Sequence, residues 1–229
     1  RKRHLRLNVA ASQSDEALLR FLPSLESALA TTGRETTSLF LQLKELRRAR
    51  TARGQEPSPE VEDTAEAEAS LWRKLTVVSV TSLISAYYGL HLLHLVLRTQ
   101  MHIIAREEVA REGRPVEEAV LETQTRAALL SSTYKYILGA GFSELLSAVR
   151  EASDAALQEC RHNGRITATK LRDILKDITS KVEAQGVATL IRFVVPPEAE
   201  AGTEASDAEQ LEGPGRRLLN ETWDVVESP

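Results

Sequence analysis

The sequence predicts an all-α protein, a single helical bundle built around one long, largely buried central helix. Aromatic residues make up only 4% of the chain while Ala, Leu and Glu are abundant, and this composition favours helices. Apolar residues recur every three or four positions, and the alternation that marks strands is nearly absent. The third observation is an uncharged run of twenty-three residues, 75–97, the most apolar stretch of the chain.

The uncharged run is long enough for a membrane span, because about twenty apolar residues cross a bilayer. However, His91 and His94 lie within it, together with several Ser and Thr residues, where a lipid-facing helix would be heavily penalised. Helix-compatible residues continue on both sides, and the neighbouring amphipathic segments need an apolar partner. We therefore expect a buried central helix of more than thirty residues rather than a membrane span.

Two helices are predicted before this run. The first is capped at Ser14 or Asp15 and carries leucines at helical spacing over residues 18–29. Pro23 should kink or divide it, and Gly33 should end it. The second covers about residues 37–50, with a basic end that complements the helix dipole.

A flexible loop is predicted over residues 51–63, which contain glycine and prolines and few apolar residues. Asp63 or Thr64 would then cap the long helix. Residues 116–149 form one helix or two, with a possible break at 139–141, and residues 166–185 are amphipathic. Residues 190–195 are the only strand-like run, and the acidic segment 196–216 has the composition of a second flexible loop.

Composition limits the function. The net charge of −4 argues against a nucleic-acid binder, and the single cysteine, Cys160, excludes an internal disulfide. His91 and His94 could share a helix face and bind a metal, which would suit an enzyme, but no further ligand is suitably paired with them. Polar residues within a buried helix are the commoner case. We expect no enzyme activity, no cofactor and no small-molecule substrate.

Trp72 is the strongest candidate for a functional residue. It lies near the start of the long helix, after a charged, small-residue stretch, whereas core aromatics usually lie deeper in an apolar pattern. It is either a partly buried packing residue or an anchor for a partner helix, since tryptophan at a rim is enriched among binding hot spots. The groove around it would be apolar, with a basic edge; its predicted members are Leu39, Leu43, Leu71 and Leu75, with Lys44 and Lys74 at the edge.

Several stretches resemble the peroxin-3 family. They are SLWRKLTVVS at residues 70–79, LVLRTQMHII at 95–104 and LLNETWDVVESP at 218–229, with support from 22–25 and 137–145. The resemblance covers most of the chain in the right order. Its most specific parts are the short motifs LLNET and ESP and the long helix with a tryptophan near its start.

The resemblance implies a domain over residues 1–229 that faces the cytosol from the peroxisomal membrane. It also implies a docking role: the family receives peroxin-19, loaded with newly made peroxisomal membrane proteins, by gripping an amphipathic N-terminal helix in an apolar groove. The family's groove tryptophan corresponds to Trp72, and its leucine-lysine pair to Leu43 and Lys44. An N-terminal membrane anchor and the family's last helices are expected outside this sequence.

An alternative of another class is an unrelated cytosolic helical scaffold or adaptor. Its basic segment, residues 44–53, would bind acidic proteins or lipid surfaces.

Overall fold

The computed structural model describes residues 2–52, 59–110, 131, 133–158, 167–184, 190, 192–194, 221–222 and 224–225. Helix α1 covers Lys2–Ala52 and helix α2 covers Pro59–Ala110. A π-helical turn at Ile137–Gly141 leads into α3 at Phe142–Leu157, and α4 covers Ala168–Glu183. No strand occurs among the described residues, which confirms the all-α prediction.

The chain forms two compact units, to both of which α1 and α2 contribute residues. The first unit comprises Arg1–Ala28, Tyr87–Leu145 and Gln185–Pro229, and the second comprises Leu29–Ala86 and Leu146–Ala184. The single domain expected from the sequence stays a prediction.

Most of the uncharged run of α2 is covered by other parts of the protein. Within residues 75–97 only five side chains are exposed, and they recur at every fourth position: Ser79, Leu83, Tyr87, His91 and Leu95. By length and composition alone Thr64–Arg106 could cross a membrane, and 44% of its most apolar window is buried. The expected long helix is therefore present, with one narrow exposed face.

The core of the first unit is built on α2. Leu93, Val96 and Leu97 are fully buried there. The ring of Phe21 from α1 lies 4.4 Å from the ring of Tyr134, measured between centroids, and burial raises the pKa of the Tyr134 hydroxyl. The other members of this cluster are Ile137 and Val194.

Helix α1 continues through both positions at which the sequence predicted a break. Pro23 is exposed within it, and residues on both sides of the proline pack in the first unit, so tertiary contacts hold the helix across the lost hydrogen bond. Phe21 contacts Tyr134, and Leu25 lies close to Gly89.

The predicted end at Gly33 is also wrong. Threonine hydroxyls donate to helix carbonyls on both sides of this residue: Thr32 to Leu29 at 2.7 Å, Thr36 to Thr32 at 2.8 Å and Thr37 to Gly33 at 2.9 Å. Helix α1 thus continues through Gly33, and residues beyond it pack in the second unit, where Leu43 is buried.

The other helix and loop boundaries in the structure also differ from the predicted ones. Helix α1 includes residues 51–52, and α2 begins at Pro59 rather than at Asp63 or Thr64, because proline is compatible with the first position of a helix. Residues 53–58, Cys160 and the predicted loop 196–216 lie outside the described part of the chain. In the strand-like run, residues 190 and 192 are helical and 193–194 form a turn, so the described residues there contradict a strand.

The second unit contains most of α3 and all of α4. Thr167 caps α4 by accepting a hydrogen bond from the backbone N–H of Lys170. The buried residues of α4 recur every four positions, at Ile174, Ile178 and Val182. An ion pair of 2.9 Å joins Arg73 of α2 to Asp154 of α3.

The π-helical turn lies close to the backbone of residues 192–193 in the first unit. A Cβ atom on Gly141 would overlap the backbone oxygen of Phe193, so only glycine fits there. The Tyr136 hydroxyl donates to the backbone oxygen of Arg192 at 2.8 Å, which fixes the same two segments together. The predicted break at 139–141 thus corresponds to a change of helix type.

We expect Gly141→Ala to lower the free energy of unfolding by about 1–3 kcal/mol, the usual cost of inserting a methyl group into a packed site. Gly139→Ala is the matched control, because nothing lies within 4 Å of a Cβ at that position in the same turn; it should stabilise by about 0.4–1 kcal/mol. Urea unfolding measures both. Equal effects of the two substitutions would contradict the close approach at Gly141.

Candidate functional site

A groove of about 600 Å³ lies in the second unit between the C-terminal half of α1 and the N-terminal part of α2. We call it the Trp72 groove. The residues that line it are Phe40, Leu43, Lys44, Arg47, Arg48, Thr51 and Trp72.

Helix α1 supplies six of these residues from one face. They follow the spacing of three and four that places side chains on one side of a helix, and the apolar residues precede the basic ones along the chain. Leu43 is 3% exposed and forms the base of the groove, whereas Phe40, one turn earlier, is 53% exposed. The groove therefore has a buried apolar base, an exposed aromatic wall and a basic end.

Helix α2 contributes the half-buried indole of Trp72. The guanidinium carbon of Arg47 lies 5.1 Å from the centre of the indole ring, within the range of a cation–π interaction. Arg47 is held in turn by Glu68, one turn before Trp72: its Nε donates to the Glu68 carboxylate at 2.8 Å. Arg50 donates to the other carboxylate oxygen at 3.2 Å.

The groove carries positive charge that the described residues do not neutralise. Hydrogen bonding from Arg47 holds the pKa of Glu68 below its ordinary value, although burial acts in the opposite direction. Glu68 thus stays ionised at neutral pH and pairs with two of the arginines. Among the described residues Lys44 and Arg48 form no ion pair, so two cations remain available to an acidic ligand.

The groove brings together three of the seven residues that the sequence singled out, namely Trp72, Leu43 and Lys44. The other four are not among its lining: Leu39, Leu71 and Leu75 are half-buried, and Lys74 is exposed. Their part in binding stays a prediction.

Sequence reasoning missed Phe40, Arg47, Arg48 and Thr51. The signal was present, since residues 40, 43, 44, 47, 48 and 51 share one helix face. The basic end of α1 was interpreted through the helix dipole and, in the alternative scaffold hypothesis, as a surface for acidic partners. Of its basic residues only Lys44 was assigned to the groove.

His91 and His94 of α2 have other contacts. The Nε2 atom of His94 lies 3.1 Å from the carboxylate of Asp15, and the ring of His91 lies 4.3 Å from that of Tyr87. Across the part of the chain that the structure describes, no three His, Cys, Asp or Glu side chains are grouped so that they could hold a metal.

We expect Leu43→Ala to destabilise the fold by about 2–5 kcal/mol, because it leaves a cavity where a buried leucine was. Phe40→Ala should change the free energy of unfolding by less than about 1 kcal/mol, since more than half of this residue's surface is already exposed to water. Chemical denaturation of both variants tests the assignment of base and wall. A large loss for Phe40→Ala would show that this ring is a core residue.

Comparison with known proteins gives one consistent result. The chain is similar to proteins named Peroxisomal biogenesis factor 3: it is 26% identical over 173 residues to that of Bos taurus, 27% over 177 to that of Rattus norvegicus and 25% over 173 to that of Homo sapiens. Each match covers 69% of this chain and 46% of the relative. No family model matches the chain.

These similarities confirm the resemblance to the peroxin-3 family that the sequence indicated. The matched part amounts to less than half the length of the curated relatives.

Proposed function

We propose that the chain acts in peroxisome biogenesis as a docking receptor for peroxin-19 carrying newly made peroxisomal membrane proteins. One observation carries the proposal: an exposed groove joins a half-buried tryptophan, a buried leucine and two cations that form no ion pair with any described residue. The similarity to proteins named Peroxisomal biogenesis factor 3 supports the cellular role.

The groove suits an amphipathic helix as its ligand. A helix presents apolar side chains every three or four positions, and such a row can lie along Phe40 and Leu43 against Trp72. Burial of an aromatic surface and exclusion of water would supply most of the affinity, because a few central aromatic residues usually dominate an interface. No bond is made or broken in this mechanism, so the proposed role is not enzymatic.

The cations of the groove select for acidic residues on the partner. Lys44 and Arg48 are exposed and lie beside the apolar base, where they can attract a carboxylate next to an apolar anchor. Charges of this kind mainly raise the association rate and fix the orientation of the partner.

The proposed location is the peroxisomal membrane, with the groove facing the cytosol and an N-terminal segment as the membrane tether. Peroxin-19 arrives from the cytosol with its cargo, so a groove on that side is reachable.

We expect Trp72→Ala to weaken binding of a peptide from the N-terminal region of peroxin-19 by at least about 2 kcal/mol, the scale of an interface hot spot. Isothermal titration calorimetry measures this loss, and circular dichroism checks that the variant remains folded. Equal binding by the folded variant would mean that the site lies elsewhere. If the unmodified chain did not bind the peptide, the docking proposal would fail.

Phe40 and Leu41 provide a matched pair for the same titration. They are adjacent on α1 and almost equally exposed, at 53% and 52%, but only Phe40 lines the groove. Phe40→Ala should cost about 1–2 kcal/mol of peptide affinity, and Leu41→Ala should cost almost nothing. A loss of the same size for both variants would point to an unspecific apolar surface instead of a defined groove.

Reversing the charges of Lys44 and Arg48 should slow peptide association. For Lys44→Glu combined with Arg48→Glu, we expect an association rate at least about tenfold lower at low salt, with a smaller difference at high salt. Lys170→Glu combined with Lys176→Glu is the control, since it changes net charge equally at exposed positions of α4. Stopped-flow mixing measures the rates. If both double variants slowed association equally, the effect would arise from net charge and not from the position of Lys44 and Arg48.

A further inference from the structure

We propose that Glu68 is a positioning residue. It holds Arg47 across the face of Trp72 and so fixes part of the basic end of the groove before a ligand arrives. We call the three residues the Glu68 clamp. The effect on binding rests on the docking function proposed above, whereas the clamp itself is a property of the free chain.

The geometry of α2 supports the assignment. Glu68 and Trp72 are four residues apart and therefore lie on the same face of the helix, one turn from each other. Arg47 reaches across from α1, and its Nε donates to Glu68 at 2.8 Å while its guanidinium carbon lies 5.1 Å from the indole centre. Arg47 thus donates to the carboxylate through Nε while its guanidinium group lies over the indole ring.

Differences in exposure identify which member holds the others. The Glu68 side chain is only 13% exposed, whereas those of Arg47 and Arg50 are each 55% exposed. An exposed arginine has many accessible rotamers and loses them only where a fixed group binds it. The Glu68 side chain, which is mostly covered and is bonded by two arginines, is that fixed group.

The clamp also divides the cations of the groove into two classes. Both oxygens of Glu68 accept hydrogen bonds, one from Arg47, which lines the groove, and one from Arg50, which does not. The single negative charge of Glu68 is therefore already engaged by these two arginines. An incoming carboxylate is left with Lys44 and Arg48, which have no ion pair among the described residues. The site therefore favours a ligand whose acidic residue lies beside those two, next to its apolar anchor.

The fluorescence of Trp72 tests the clamp in the free chain. In a Trp223→Phe background Trp72 is the only tryptophan, and Glu68→Gln should shift its emission to longer wavelength, because the guanidinium no longer shields the ring from water. Glu66→Gln is the matched control: it removes the same charge two residues away, at an exposed position. Equal emission spectra for the two variants would overturn the proposal.

Acid titration of Trp72 emission provides a second test. If Glu68 only stabilised the fold, protonating it would not change the emission of a chain that remains folded. The pKa of Glu68 lies below the ordinary value of 4.5, so the ion pair persists as pH falls through that value and is lost only below it. Trp72 emission in the Glu66→Gln variant should follow this transition while circular dichroism still reports a folded chain. The Glu68→Gln variant should lack it, and an identical transition in both variants would contradict the clamp.

The peptide titration then tests the consequence for binding. Relative to Glu66→Gln, we expect Glu68→Gln to weaken peptide binding about three- to tenfold, the cost of ordering a free arginine side chain on binding. In an Arg47→Met background the same comparison should show no difference, because Glu68 acts through Arg47. Tighter binding by Glu68→Gln, or a persistent difference in that background, would refute the positioning role. If the unmodified chain bound no peptide, the docking function would fail, and the emission experiments would still decide the clamp.

Discussion

The uncharged run of α2 is the constraint on which the rest of the structure depends. A helix with twenty-three successive uncharged residues exposes a large apolar surface unless other elements cover it. The fold leaves only every fourth residue of the run exposed. Both compact units draw buried residues from it, including Val77 and Val78 in the second unit and Leu93 and Val96 in the first.

The same requirement explains why α1 is unbroken. Its residues on both sides of Pro23 contact the core of the first unit, and Leu43 is buried in the second. A helix that packs along most of its length gains more from continuing than it loses at one proline or glycine, which cost about 3 and 1 kcal/mol in an isolated helix. The Trp72 groove lies near the C-terminal end of this helix, where a buried leucine and an exposed phenylalanine are one turn apart.

How much could be predicted from the sequence depended on how far apart in the chain the interacting residues lie. The helical class and the long buried helix follow from local periodicity and composition, and Trp72 was singled out because its place in the pattern was unusual for a core residue. Leu43 and Lys44 were predicted as members of an apolar groove with a basic edge around Trp72, and the family resemblance indicated the same pair. The roles of Arg47 and Glu68 could not be read from one helix at a time, because each depends on a side chain of the other helix. Gly33 and Pro23 were misjudged for a related reason: their local cost is offset by contacts distant in sequence.

The residues that line the groove, and the ion pairs of Glu68 beside it, lie close together in the sequence. Glu68 lies 21 residues from Arg47 and 18 from Arg50, whereas the ion pairs that join α3 to α2 and α1 link residues 81 and 115 positions apart. The entropy lost in closing a loop grows with its length, and chains rich in local contacts fold fastest. All the residues that line the groove lie between positions 40 and 72. During synthesis every residue that lines this site therefore leaves the ribosome before the first residue of α3.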